Sequence, residues 1–142
     1  MESAFWDASS LVPLCVTQAS SSAVQQLSAK YAISVWWASP VEVRSAIARL
    51  VRTGLLIHAD LAYAHRVLSV LRSNWTEIQP SETLRNEAES FVDQFQLKAA
   101  DAQQLAAAYI WASRRPPGRV FLSGDAHLLA AAKQLGFQVI ST

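Results

Sequence analysis

Four carboxylates in this chain sit where chemistry can be done: Asp7, Glu42, Asp101 and Asp125. Asp7 follows the apolar run Ala4-Phe5-Trp6, and Asp125 follows Val120-Phe121-Leu122-Ser123-Gly124. A short apolar run that ends at a polar step has the pattern of a buried parallel strand. Both acids therefore mark a strand's carboxyl end, the edge where open α/β sheets bind ligands. Glu42 falls in the first turn of the helix that follows Ser39-Pro40, and Asp101 opens an alanine-rich helix. Each acid taken alone has a plain explanation, because helix starts favour Asp and Glu. Asp60 and Glu82 open helices too and are given no site role. The set has a second explanation. Two carboxylates about 4 Å apart repel by about 4 kcal/mol at an effective dielectric near 20. Several such pairs oppose folding unless protons or a cation neutralise them. A hard divalent ion, Mg²⁺ or Mn²⁺, suits a set built only of oxygen donors. Sequence spacing leaves both explanations open, since only the sheet order brings the acids together.

Other polar side chains are weaker candidates. Arg49 lies seven residues after Glu42, on the same helix face two turns along, where it can steady a phosphate or simply be solvated or salt-bridged. Arg44 and Arg52 form a separate stripe expected to face solvent. Arg114, Arg115 and Arg119 flank a Pro-Pro-Gly loop, where they can contact RNA or, as basic loops usually do, simply solubilise the chain. His58, His65 and His127 have no ligand spacing, and only His127, two residues after Asp125, is placed to approach the acids. Trp36 and Trp37 alternate across the second strand and should pack on opposite faces, where an exposed ring can stack a base.

Short elements must position these groups. Strands are expected at Ala4–Trp6, Ala32–Trp37, Trp75–Gln79, Val120–Leu122 and Phe137–Ile140. Helices are expected at Leu11–Thr17, Ala23–Lys30, Val41–Thr53, Leu61–Arg72, Glu82–Phe95, Asp101–Ser113 and Ala126–Leu135. Pro13 suits only a first turn, the Ser20-Ser21-Ser22 run and Ser39 look like helix caps, and Ser81 caps the helix from Glu82. Strands alternating with helices predict right-handed crossovers and a mostly parallel sheet.

Composition narrows the class. At 142 residues, with 51% apolar and 16% charged side chains, the chain suits one dense domain. A net charge of +1 predicts no polyanion partner by itself and argues against a strongly basic nucleic-acid-binding face. No apolar run reaches the roughly 18 residues needed to span a membrane. Met1-Glu2-Ser3 lacks a basic region, so a secretory signal is not expected. Cys15 is the only cysteine, which excludes an internal disulfide and a thiolate zinc site. A cytoplasmic protein is the expectation.

The motifs, taken in order, resemble the PIN-domain family, and within it the VapC-type toxin ribonucleases of toxin–antitoxin pairs. Asp7-Ala8-Ser9-Ser10-Leu11-Val12 resembles the opening D-[TAS]-S-x-[LV]. Glu42-Val43-Arg44-Ser45-Ala46 resembles E-[VL]-x-S-A. Asp101-Ala102-Gln103-Gln104-Leu105-Ala106-Ala107-Ala108 resembles D-A-x-x-[LV]-A-x-A, and Ser123-Gly124-Asp125-Ala126-His127-Leu128 resembles [TS]-x-D-x-x-[LF]. One departure is Gln104, where these toxins often carry histidine, which is not one of the family's metal-binding acids. The resemblance covers nearly the whole chain. It implies one PIN-like domain over residues 1–142, a three-layer α/β/α sandwich whose five-stranded parallel sheet has the order 3-2-1-4-5. It also implies a metal-dependent endoribonuclease with Asp7, Glu42, Asp101 and Asp125 as its acids. Asp7 and Asp101 are the first choice as direct ligands of Mg²⁺ or Mn²⁺, and Ser9 and Ser123 match supporting hydroxyl positions. Lys98 resembles a basic position common in the family. An RNA substrate, a small cognate antitoxin and a homodimer are implied as partners.

Other classes fit less well. A haloacid-dehalogenase-like phosphoryl-transfer site wants a second acid two residues after the strand-end Asp, and that position is Ser9. A response receiver wants a strand-end lysine that the fifth-strand region lacks. A non-catalytic PIN-like scaffold, whose acids merely cap helices, is the remaining alternative.

Overall fold

β1 (Glu2–Trp6) takes the centre of a five-stranded parallel sheet in the computed structural model, which describes all 142 residues. β2 (Tyr31–Trp36) and β3 (Thr76–Ile78) extend it on one side, and β4 (Val120–Ser123) and β5 (Gln138–Ser141) on the other. Neighbouring strands pair parallel throughout, in the order β3-β2-β1-β4-β5 that the PIN resemblance implied. The chain runs outward from β1 first to one edge and then to the other. The carboxyl ends of β1 and β4 therefore flank a topological switch point.

Side-chain alternation along β1 builds the two halves of the core. Ala4 and Trp6 pack with Val35, Leu122, Leu11, Ile47 and Leu68, on the face covered by α1 (Ala8–Cys15), α2 (Ser21–Lys30), α3 (Ser39–Arg52) and α4 (Leu61–Asn74). Phe5 points the other way, to the face covered by α5 (Glu82–Phe95), α6 (Ala99–Trp111) and α7 (Ala126–Leu135). There it stacks on Phe121 at 5.7 Å between ring centres and meets Trp111 at 6.0 Å. Ala102, Ala106, Ala107 and Ala108 of α6 are fully buried, so this helix lies close against the sheet. No helix is long and apolar enough to cross a membrane.

Most elements fall within two residues of their expected bounds; α1 is the exception. It starts at Ala8 rather than Leu11, so Pro13 lies beyond the first turn and not inside it. An eight-residue helix tolerates this, because the missing proline N–H removes one bond to the Ser9 carbonyl near the helix start. The serine caps also differ. Ser20 makes no capping bond, and Ser21 Oγ instead shares its one proton between the Pro13 and Val16 carbonyls at 2.8 and 3.1 Å, tying α2 to the end of α1. Ser39 lies inside α3, where Ala38 takes the capping position. Ser81 does cap α5, accepting from Leu84 N at 3.0 Å.

Phe5→Ala should cost about 3–5 kcal/mol, since a fully buried ring wedged between two aromatics leaves a cavity when removed. Urea unfolding followed by circular dichroism checks this as a lowered midpoint at unchanged slope.

Candidate functional site

Asp7 continues the central strand by one residue, its N–H donating to the Leu122 carbonyl of β4 at 2.9 Å. That bond pins its backbone between the two strands of the switch point. Its side chain is only 4% exposed and does not cap α1. Instead Oδ2 accepts from Ser9 Oγ at 2.6 Å and from Ser123 Oγ at 2.8 Å. A serine hydroxyl has one proton, so each must accept elsewhere. Ser9 Oγ accepts from Gly124 N at 2.9 Å, and Ser123 Oγ from Asp125 N at 3.0 Å. The result is a closed lattice joining the turn after β1 to the turn after β4. Both hydroxyls use Oδ2, which leaves Oδ1 with no side-chain donor.

Glu42 comes from the first turn of α3, and α6 holds it. Gln104 is fully buried, and its Nε2 donates to Glu42 Oε1 at 3.1 Å and to Ser39 Oγ at 3.0 Å. Both amide protons are thereby used, while Gln104 Oε1 is buried without a partner. Gln104 stands one turn beyond Asp101 on α6, so the helix that carries one acid also grips another.

Asp101 lies in the first turn of α6, half-buried, with Lys98 just before it. Asp125 caps α7, its Oδ1 accepting from Leu128 N at 3.0 Å. His127 reaches back from α7 to donate from Nε2 to the Gln96 carbonyl at 3.2 Å, which holds it near the start of α6.

The four acids share one electrostatic field. Burial raises the Asp7 carboxyl above its ordinary value, and the Ser9 and Ser123 hydroxyls hold it back only in part. Burial also pushes Glu42 up to about 7, with Asp7 and Asp101 adding to the rise and the Gln104 bond opposing it. Asp101 is raised by burial, then by Asp125 and Asp7, while Lys98 and His127 pull it down. At the carboxyl edge of the sheet Asp101 therefore sits within electrostatic reach of Asp7, Glu42 and Asp125, and Glu42 within reach of Asp7. Capping accounts for Asp125 alone. The donor set is all oxygen, as a hard divalent cation prefers. In this arrangement no three carboxylate, imidazole or thiol groups close around a single point as a ready cage would.

Among the basic candidates, Arg49 is exposed and joins no ion pair. Arg44 and Arg52 line the crevice between α3 and α4 with His58 and His65. Arg114 pairs with Glu87 at 3.1 Å, and the Arg119 guanidinium lies 4.0 Å over the Trp111 ring. Arg119 immediately precedes β4, which places this loop at the amino edge, away from the acids.

Ser39 and the Gly124 amide belong to this site and were not singled out for it from sequence. Their signal was weak: Ser39 resembled a cap, and a backbone amide has no sequence signature. Gln104 was visible only as an odd residue within a motif.

No protein-family model matches the chain, and no curated protein does. Solved structures do match. A chain of a toxin–antitoxin complex from Klebsiella pneumoniae is similar at a TM-score of 0.63 and 16% identity, over 87% of each chain. PAE2754 from Pyrobaculum aerophilum gives 0.66 at 21% identity, over 97% of this chain and 89% of that one. FitAcB from Neisseria gonorrhoeae gives 0.61 at 15% identity, over 96% of each. At these identities the likeness is one of fold.

The raised Glu42 carboxyl sets a pH dependence. Its folded value of about 7 lies above the ordinary 4.5, so the folded state binds the extra proton between them. The stability this contributes is complete below the ordinary value and is lost as pH rises through about 7. Glu42→Gln should flatten the fall in melting temperature between pH 5 and pH 8, read by thermal denaturation across that range.

Proposed function

We propose that this chain is a metal-dependent endoribonuclease of the VapC toxin type, which hydrolyses RNA phosphodiesters and is held in check by a cognate antitoxin. The observation that carries the proposal is the gathering of four carboxylates from four segments at the carboxyl edge of the sheet, where Asp101 lies in the field of both Asp7 and Asp125 and Glu42 in that of Asp7 and Asp101. Such a set is stable near neutral pH when a cation sits among its members. Mg²⁺ keeps several waters and takes one or two carboxylates, so the open arrangement suits it better than a closed cage would. Mn²⁺ accepts the same oxygen donors.

Asp7 and Asp101 are assigned as the direct ligands. Asp7 offers Oδ1 while Ser9 and Ser123 fix its other oxygen, which orients the carboxylate without neutralising it. Asp101 is steadied by the positive charge of Lys98 and the nearby His127. A bound divalent ion supplies positive charge for the phosphate oxygens and a water acidic enough to attack near neutral pH. Glu42, with a carboxyl close to neutral pH and an orientation set by Gln104, would be suited to take a proton from an attacking water. Asp125 is the alternative proton acceptor or second ligand. Arg49, exposed on the helix of Glu42, is available to steady a phosphate.

Partners follow the same reading. The fold is shared with a chain from a toxin–antitoxin complex, which supports a small antitoxin for this chain. Tyr63 and Val70 on α4 and Val92 on α5 expose apolar surface that suits a homodimer. Cytoplasmic action on RNA completes the proposal. The competing scaffold role is favoured by the capping bond of Asp125 and by the lack of three ligand groups around a single point.

Single-stranded RNA incubated with Mg²⁺, Mn²⁺ or EDTA tests the activity: cleavage is expected with either metal and not with the chelator. Asp7→Asn and Asp101→Asn should each lower the rate by more than about 100-fold, since loss of an outer-shell partner alone costs about 10–100-fold. Ser123→Ala should fall within that outer-shell range. Mn²⁺ should raise the melting temperature of the parent chain and leave those of Asp7→Asn and Asp101→Asn nearly unmoved. Full activity in purified Asp101→Asn would refute the ligand assignment.

A further inference from the structure

Two tryptophans meet at the carboxyl end of β2 with opposite fates. Trp36 is 6% exposed and packs into the core with α5 and α6, whereas Trp37 is 51% exposed. Trp37 is held firmly even so. Its backbone N–H donates to the Ile78 carbonyl of β3 at 3.1 Å. Its ring meets the Trp36 ring edge-on, 6.3 Å between centres and 63° between planes. A large flat apolar surface is thus fastened to a buried neighbour and half presented to water.

A lone exposed hydrophobe is ordinary; its position gives this one meaning. Trp37 lies two residues before Ser39 and five before Glu42, at the edge where the acids gather. Val41, 69% exposed in the first turn of α3, is the next exposed apolar side chain along the chain. One exposed indole offers a face of about the dimensions of a nucleobase. A docked protein helix needs more, because it lays down anchors over two turns. Arg49, exposed on the helix that follows, is available to a phosphate of the same strand, so a ring and a cation together favour a nucleic-acid strand over a protein helix. Every base offers a face for stacking, and only an unpaired strand leaves that face free.

We infer that Trp37 is a base-stacking platform that seats one unpaired nucleotide of an RNA strand beside the acidic site. The inference rests on the nuclease reading for its choice of RNA, and it restricts the substrate to single-stranded regions. The ring fixes the register of the strand, and the phosphate of a neighbouring nucleotide then lies toward Glu42 and Asp7. Trp37 is a substrate-binding group and takes no part in proton transfer.

Fluorescence anisotropy with a labelled oligouridine tests this, with Ca²⁺ in place of Mg²⁺ so that binding is read apart from cleavage. Trp37→Ala should weaken binding about 10-fold, in keeping with the loss of one stacked base, while Trp37→Phe keeps most of the affinity. A ribose-phosphate oligomer without bases should bind the parent and Trp37→Ala equally, and duplex RNA should not distinguish them. In cleavage assays the alanine change should raise KM and leave kcat nearly unchanged. Melting temperatures of both variants show whether the fold is kept. Equal binding of oligouridine by the parent and Trp37→Ala, or no binding by the parent, overturns the inference. So does an equal loss on the base-free oligomer, which would mean the ring contacts the backbone. Unchanged RNA binding with lost antitoxin binding would assign the ring to a protein partner instead and overturn it as well. Failure of the nuclease reading looks different: the parent binds RNA in a Trp37-dependent way and cleaves none with Mg²⁺ or Mn²⁺.

Discussion

Repulsion among carboxylates at one edge of the sheet is the constraint around which the structure is arranged. Unit charges about 4 Å apart oppose one another by about 4 kcal/mol at an effective dielectric near 20, a large part of a domain's net stability. The fold accepts this by surrounding the acids with neutral donors. Ser9 and Ser123 give Asp7 two hydroxyl bonds, and Gln104 gives Glu42 one amide bond. None of these donors carries a charge, so none cancels the field. Burial raises the carboxyls of Asp7, Glu42 and Asp101, and neighbouring carboxylates add to the rise at Glu42 and Asp101. A structure built only for stability would have paired them with arginine or lysine. Lys98 alone approaches, and it is exposed.

The sheet makes this crowding possible. In a parallel arrangement every strand ends at the same edge, and the helix that follows starts there. Reversal of direction at β1 opens a gap between the helices after β1 and β4, and Asp7 and Asp125 lie at its two sides. The hydroxyl lattice closes that gap from below, with Ser9 and Ser123 each bridging the two turns. The fully buried alanines of α6 let that helix lie close to the sheet, which brings Asp101 and Gln104 toward the β1 and β2 ends. Packing on the α5–α7 face therefore contributes to the geometry of the acids as much as local capping does.

Much of this was legible beforehand, and the exceptions share a cause. Phe5 and Trp6 identified the central strand because fully buried strands are continuous apolar runs. Glu82–Phe95 and Ala126–Leu135 were placed to the residue, since Ser81 and Asp125 cap them and Gly136 ends the second in a left-handed conformation. Ser20, Ser39 and Pro13 were misjudged because each was assigned a local role. Ser39 looked like a cap, yet its hydroxyl serves Gln104, 65 positions further along the chain. Ser21 does similar work between α1 and α2, bonding carbonyls where a capping bond was expected. A small polar side chain near a helix start has both local and distant suitors, and the distant ones do not show in a window of neighbours.

The motifs, through the family they resemble, indicated the strand order, and the apolar runs and helix starts indicated the edge of the sheet where Asp7, Glu42, Asp101 and Asp125 lie, because these are properties of short segments. Tertiary structure alone decided how each acid is held: that Asp7 turns to two serines instead of capping α1, that Glu42 is gripped from α6, and that Asp125 keeps its cap. It also decided that Trp36 is buried while Trp37 faces water. The physical reason is that hydrogen-bond partners and burial depend on distances between segments far apart in the chain, and those distances exist only once the sheet has formed.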